Sequence, residues 1–314
     1  MSNWGRFLLD TITPFVTRER MMKMKIGVDI GGSHIAIGVV DETGRIVEKI
    51  ERRLTSTEKK NIKKYIEEYI IEHTKLFEKK YKIYEIGIAI PGRAKEGMIL
   101  SSGNLGIKNY PLVEKLQQKI KKPITIRNDA KCAAMAENAY GCLKGYPTSL
   151  FLTLGTGIGG AAFLEGKLLK SGEKAAYEFG HMVINKKGIP CYCGREGCFE
   201  RYASMKALKN KLREVLGKDE TTRGEELLEI LRNIKPEDDK YEEINNVIEE
   251  YIEDLSIGII NLIKIFEPEM IGIGGSFVHF KDILLPKLKE KMNENVEIQT
   301  AVLGNDAGMI GATL

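Results

Sequence analysis

The chain lacks any run of about 18 or more apolar residues, which excludes an ordinary membrane-spanning helix. It also lacks a secretory signal, because Asp10, Pro14 and a cluster of Arg and Lys interrupt the short apolar stretch Phe7-Leu8-Leu9. Charge of one sign is scarce. The formal net charge is +4 over 314 residues, with lysines and glutamates interleaved, so there is no basic stripe of the kind that nucleic acid requires. No GxxxxGK[ST] segment occurs, which excludes a P-loop enzyme. Cysteine is sparse and odd in number, five in all, and Cys191, Cys193 and Cys198 fall within eight residues. That clustering fits a metal site in a reducing, cytoplasmic compartment better than a disulfide framework. Cys132 and Cys142 stand apart in an Ala-rich stretch and read as buried thiols.

What is present is an ordinary globular composition, 43% hydrophobic and 29% charged, in a chain long enough for two medium domains. Residues 1–24 read as an N-terminal extension without assignable chemistry. The run Ile26 to Ile30 then enters Gly31-Gly32-Ser33 and a second run, Ile35 to Val40, with a third strand expected near Ile46 to Arg53. Ser56 is placed to cap a long helix with apolar positions at helical spacing through Phe77. A strand at Ile83 to Ile90, a short helix near Pro111 to Ile120 and a strand at Ile124 to Arg127 follow. The second half opens in the same way: Leu150 to Leu154 enters Gly155-Thr156-Gly157-Ile158-Gly159-Gly160 and a second apolar run. Helices are expected around Arg201 to Leu216 and Tyr241 to Phe266, with a strand at Met270 to Ile273 ending in Gly274-Gly275. Each half therefore begins strand, glycine turn, strand, which is a duplication in architecture rather than in identity.

Gly155-x-Gly157-x-x-Gly160 matches the dinucleotide fingerprint formally, but that fingerprint requires a helix after the glycines, and here a second strand is expected. Tight glycine turns can still bind anions through backbone N–H groups. Two such turns, one per half, suggest a polyphosphate held between them, with Ser33 and Thr156 adding hydroxyls and Asp29 holding Mg²⁺. Asn128-Asp129-Ala130 joins a strand to a helix expected from Lys131 to Tyr140. Asp129 there is either a plain helix cap or a carboxylate poised to accept a proton from an attacking hydroxyl. The spacing His181-x9-Cys191-x-Cys193-x4-Cys198 supplies one imidazole and three thiolates. That set closes a tetrahedral Zn²⁺ shell and leaves no open position, so the metal reads as structural. It would pin the segment from Glu178 to Glu200 and bring those two carboxylates together. His34, His73 and His279 read as surface or packed residues.

Taken together, these motifs resemble the ROK sugar kinases, in particular the bacterial glucokinase type. The resemblance runs from Lys25 to Leu314 and rests on the two glycine turns, Asn128-Asp129-Ala130, Glu178-Phe179-Gly180-His181, and the element Cys191 to Glu200. It implies an actin-like (ribonuclease H-like) ATPase fold of two α/β domains with an interdomain cleft. The implied small domain spans 25–128 and is rejoined by a helix at 306–314, and the large domain spans 129–305. The resemblance further implies an ATP-dependent kinase with Asp129 as general base on a hexose 6-hydroxyl. Asn128, Glu178, His181 and Glu200, together with Gly92 and Asn104, would line the sugar pocket, His181 serving sugar and zinc through different nitrogens. Gly31, Gly32, Ser33, Gly155, Thr156 and Gly157 would hold ATP phosphates with Mg²⁺ near Asp29, and Gly274 and Gly275 would approach the adenosine. Glucose is the implied acceptor; N-acetylglucosamine, N-acetylmannosamine, mannose and allose stay open, as does polyphosphate as donor. A homodimer or homotetramer is implied, with no nucleic-acid or membrane partner. Repressors of the same family carry a DNA-binding domain ahead of the first glycine turn, and about 25 residues are too few for one. Two departures stand out: Ser33-His34 replaces the usual Thr-Lys, and Phe199 replaces an aliphatic residue.

Overall fold

The computed structural model describes residues 23–169, 178–292 and 294–314, so nearly all of the expected N-terminal extension lies outside the described residues. The chain opens with β1 (Met24–Ile30), β2 (His34–Val40) and β3 (Ile46–Arg53), an antiparallel meander turned at Gly31 to Ser33 and at the Asp41 turn. Two helices follow, α1 (Ser56–Lys60) and α2 (Ile62–Glu78), where one long helix was expected. The break falls at Asn61, whose backbone leaves helical geometry. The cap is Thr55 rather than Ser56: its hydroxyl accepts the Glu58 N–H while the Glu58 carboxylate accepts the Thr55 N–H at 2.7 Å, a reciprocal capping box.

Strand β4 (Ile83–Ile90) returns parallel to β1. A small antiparallel sheet of β5 (Arg93–Lys95), β6 (Met98–Ser102) and β7 (Ile107–Tyr110) was not foreseen; its strands are too short to show an alternating pattern. Then α3 (Leu112–Gln117) leads to β8 (Ile124–Asn128), parallel to β4. The first sheet has the order β3-β2-β1-β4-β8.

The second half begins with α4 (Asp129–Tyr140), then β9 (Ser149–Leu154), β10 (Ile158–Leu164) and β11 (Lys167–Leu168). Strands β9 and β10 are antiparallel across the second glycine turn, with Leu154 opposite Ile158, so the Rossmann reading fails on geometry as it does on sequence. Helices α5 (Glu200–Ala203), α6 (Met205–Leu216), α7 (Gly224–Asn233) and α8 (Tyr241–Phe266) follow. Ser204 divides α5 from α6 by capping the second helix, its hydroxyl accepting the Ala207 N–H. Next come β12 (Met270–Gly274), α9 (Lys281–Lys291), β13 (Glu297–Thr300) and α10 (Ala307–Ala312). The second sheet has the order β11-β10-β9-β12-β13. Its four pairings, two antiparallel and then two parallel, repeat those of the first sheet, so the duplication seen in the glycine turns extends to the topology.

Each sheet has its own apolar core. The first centres on Ile26, Val28, Ile37, Ile66, Ile70, Ile86 and Ile88. The second centres on Leu150, Leu152, Leu208, Tyr251, Leu255, Ile271 and Phe277. The C-terminal α10, though last in sequence, packs on β1, β4 and α4 rather than on β13. Among the described residues no helix is long and apolar enough to cross a membrane.

Candidate functional site

The two glycine turns open onto one cavity of about 650 Å³ between the two sheets. Its wall includes Asp29 and Gly31 from the first turn, and Gly155, Thr156 and Gly157 from the second. Gly92, Asn104, Asn128 and Asp129 line it from the first half; Glu178, His181, Glu200 and Gly275 line it from the second. Three expected residues do not reach the wall. Gly274 is buried against the Phe151 ring. Gly32 packs near Asn104 and leaves the wall to Gly31.

Ser33 is exposed beside the cavity, its Oγ 2.8 Å from His34 Nδ1. Arg53 Nε donates to His34 Nε2 at 3.1 Å. That nitrogen is therefore the acceptor, the ring proton sits on Nδ1, and Ser33 Oγ accepts it. The Ser33 hydroxyl proton stays available for another acceptor, so histidine in place of the usual lysine holds the serine in position without consuming its donor.

Asp129 is at the first position of α4 and does not cap it. The cap is Asn128, whose Oδ1 accepts the Lys131 N–H at 3.0 Å, so the helix starts two residues earlier than the apolar pattern suggests. The Asn128 amide donates to Gly92 O at 2.9 Å and to Asp129 Oδ1 at 2.9 Å, and the Ala130 N–H donates to Asp129 Oδ1 at 2.8 Å. Burial raises the Asp129 pKa above the usual carboxylate range, and these hydrogen bonds oppose that rise. Asp29 is raised too, to about 7, first by burial and then by the negative charges of Asp129, Glu51 and Asp306, with Lys49 in partial compensation. A desolvated carboxylate crowded by others is an environment that a divalent cation suits.

The imidazole and three thiols offer ligand atoms that all lie within 4.8 Å of one another. Cys191 Sγ is 3.6 Å from His181 Nδ1 and Cys193 Sγ is 3.5 Å from Cys198 Sγ. A tetrahedron with metal–sulfur bonds of about 2.3 Å has edges of about 3.7 Å, so the donor set fits a closed metal shell. His181 Nε2 faces the other way, 3.9 Å from Glu178 Oε2. The loop is tied on both sides: the Phe199 N–H donates to Met182 O and the Ile184 N–H to Gly197 O. Phe199 is fully buried, and the ring fits because Gly258 of α8 has no side chain to meet it.

Glu200, immediately after that loop, accepts the Ile158 N–H at 2.8 Å. A Cβ at Gly157 would collide with the same carboxylate, so this glycine is required for the approach of Glu200 as well as for the turn. One carboxylate thereby joins the metal loop to the second glycine turn.

Sequence reasoning missed Glu137. It is fully buried on α4, and its carboxylate accepts the N–H groups of Val302 (2.9 Å), Leu303 (2.8 Å) and Cys142 (2.9 Å). It thus fixes the helix that begins with Asp129 to the segment whose Gly304 and Asn305 line the cavity. A charged residue in an otherwise Ala-rich helix was the available signal. Glu137→Gln has one carbonyl oxygen for three donors and is expected to cost about 2 kcal/mol, read as a lower urea midpoint at unchanged slope.

Comparison with known proteins follows the same outline. The model of the ROK family matches residues 25–314. A glucokinase of Thermotoga maritima is 31% identical over 93% of this chain and 97% of its own. A xylose repressor of Caldicellulosiruptor bescii is 29% identical, over 91% of this chain and 76% of its own. Among solved structures, a ROK family glucokinase from Streptomyces griseus in complex with glucose and AMPPNP superposes with a TM-score of 0.73 at 27% identity, covering 92% of this chain and 97% of that one. With two matching mixed sheets around a cleft, the fold is that of the actin-like (ribonuclease H-like) ATPases.

Proposed function

This chain belongs to the ROK family, and from that premise we propose that it is an ATP-dependent sugar kinase whose acceptor is the 6-hydroxyl of a hexose, glucose first. The observation that carries the reading is the convergence of both glycine turns and Asp129 on a single cavity. Similarity to glucokinases supports glucose as the acceptor.

In the proposed reaction Asp129 accepts the hydroxyl proton, the freed oxygen bonds to the γ-phosphorus, and the bond from that phosphorus to the β-phosphate oxygen breaks. The products are hexose 6-phosphate, ADP and a proton. Asn128 orients Asp129 through its amide and ties it to Gly92. Glu178, His181 Nε2 and Glu200 would take the remaining ring hydroxyls. Gly31, Gly155, Thr156 and Gly157 would lie along the phosphates, with the Ser33 hydroxyl donating to one of them. Gly275 would approach the adenosine. Asp29 would hold Mg²⁺, which supplies positive charge against that developing on the phosphates. Zn²⁺ is the metal that a His and three Cys select, and its role here would be to hold Glu178, His181 and Glu200 in register.

An ADP-release assay with Mg²⁺ and ATP over glucose, mannose, N-acetylglucosamine, N-acetylmannosamine and allose tests this reading. Hexose-dependent ADP release, greatest with glucose, is expected; ADP release that ignores every sugar would defeat it.

The Asp29 pKa of about 7 adds a pH prediction. Below that value the carboxyl is protonated and cannot hold a cation, so kcat/KM for Mg·ATP should rise with pH through about 7 and level off. Stability runs the opposite way. A carboxyl whose folded pKa is raised favours the fold below its unfolded pKa, and that contribution is lost as pH rises through the folded value. Asp29→Asn should therefore melt at a higher temperature than the parent at pH 8, and the difference should shrink at pH 5. A pH-independent difference would reject the assignment.

A further inference from the structure

Lys209 on α6 has no part in the reaction above, yet its side chain sits where a cation is poorly served. It is half-buried, and among the described residues it forms no ion pair. Burial, and after it the positive charge of Arg213, lower its pKa from the usual lysine value. The stem passes Gly224 at the start of α7, where a Cβ would come within 3.0 Å of Lys209 Cε, and a helix N-terminus also disfavours positive charge. The acids that follow on α7, Glu225 and Glu226, pair with Arg223 instead. What Lys209 does have is a hydroxyl and a ring. Its Nζ donates to Ser276 Oγ at 3.3 Å and lies 5.4 Å from the Phe280 ring centroid. An ammonium carries three N–H donors, so the others have no partner among the described residues.

Both sides of this contact are anchored at the cavity wall. Ser276 directly follows Gly275, which lines the cavity and presses on the Leu154 backbone. The Lys206 N–H, in the first turn of α6, donates at 3.1 Å to the carbonyl of Gly155, a second wall residue. Lys209 is three residues further on, about 4.5 Å along the helix axis. The pair thus stands beside the second glycine turn.

We infer that Lys209, together with Ser276, binds the ribose diol of the phosphoryl donor and so sets a preference for a ribonucleoside triphosphate. The inference rests on the kinase reading above, in which Gly155 lies along the phosphates and Gly275 approaches the adenosine. Ser276 Oγ accepts from Lys209 and keeps its own proton to donate. Two donors so close together match two adjacent hydroxyl oxygens, each of which accepts one. The adenine edge alternates a donor amino group with ring acceptors, which suits a paired donor and acceptor better than two donors.

The test measures kcat/KM at saturating glucose for ATP, 2′-deoxy-ATP, 3′-deoxy-ATP and GTP in the parent and in Lys209→Met. Methionine keeps an apolar stem against Phe280 and Gly224 and removes only the unpaired charge, so the variant is expected to melt at or above the parent's temperature. The parent should favour ATP over at least one deoxy analogue by about tenfold, the scale of one hydrogen bond to a charged group. In Lys209→Met that preference should shrink to within about twofold through a rise in KM for ATP, while the ATP-to-GTP ratio stays within about threefold of the parent's. A parent indifferent to both missing hydroxyls, or a variant that keeps the parent's preference, overturns the ribose assignment and leaves the kinase reading standing. So does a variant in which only the ATP-to-GTP ratio moves, since that places Lys209 on the base. A parent without hexose-dependent ADP release from any donor takes both down.

Discussion

Asp129→Asn is expected to lower kcat by about 10³-fold while hexose and nucleotide dissociation constants stay within about threefold of the parent, since a positioned general base contributes roughly 10² to 10⁴. The substitution is close to isosteric. Asn keeps an oxygen for the Ala130 N–H and the Asn128 amide, both of which now meet Asp129 Oδ1. The helix does not lose its cap, because Asn128 supplies it. Folding should not suffer either. Burial holds the Asp129 pKa up, so the ionised form is disfavoured in the folded protein and a neutral amide relieves that. The variant is expected to melt at or above the parent's temperature at pH 8 and to be inactive. That combination separates a base from a structural carboxylate, whose removal would cost stability and activity together. Single-turnover kinetics with saturating hexose and Mg·ATP, alongside calorimetry, provide both readings. A variant with near-parental turnover would remove Asp129 from the mechanism.

The second large effect lies in the metal loop. Cys193→Ser is expected to reduce bound zinc from one per chain to a small fraction, and to lower kcat/KM for hexose by about 10²-fold, since removing even an outer partner of a metal ligand costs 10- to 100-fold in affinity or activity. The physical reason is where the loop is tied. The short turn Phe179–His181 precedes it and α5 begins at Glu200 directly after it, so Glu178, His181 and Glu200 owe their spacing to one cluster. Cys193 is the exposed member, so its loss opens no core cavity, whereas Cys191 and Cys198 are buried. Nucleotide affinity should change less than hexose affinity, because Gly31, Asp29 and Gly275 are placed by β1, β2 and β12, and only the second glycine turn meets Glu200 of the metal loop. Elemental analysis with separate titrations of hexose and nucleotide checks this. A zinc-free variant with parental hexose kinetics would show that the loop holds its shape unaided.

The elements with strong apolar patterns were legible from sequence: β2 to β4, β9, α8 and β12 fall within a residue of their expected bounds, while β1 opens two residues before its apolar run and β10 takes in Ile158 to Gly160 of the glycine turn. So was the association of His181 with the three cysteines, since four soft ligands so close in sequence have few other arrangements. The failures have local causes. Strand β13 (Glu297-Ile298-Gln299-Thr300) buries only Ile298, and α9 carries Pro286 in its interior; neither offers a clear period. Two boundaries moved because a neighbouring side chain won the capping contact: Thr55 over Ser56, and Asn128 over Asp129. The second shift matters for function, since a capping Asp129 would have given its carboxylate to the helix. Glu137 was missed for a different reason. Its charge within an Ala-rich helix was a signal, but its role comes from residues distant in sequence, the N–H groups of Val302 and Leu303 that donate to its carboxylate.

The most direct test of the account is a crystal structure of the protein with a non-hydrolysable ATP analogue, Mg²⁺ and glucose bound together. An Asp129 carboxylate oxygen is expected within about 3.2 Å of the glucose 6-hydroxyl, the reach required of a general base, with the γ-phosphate on the far side of that hydroxyl and both glycine turns along the triphosphate. A glucose bound with its 6-hydroxyl remote from Asp129, or a triphosphate lying away from either turn, would contradict it.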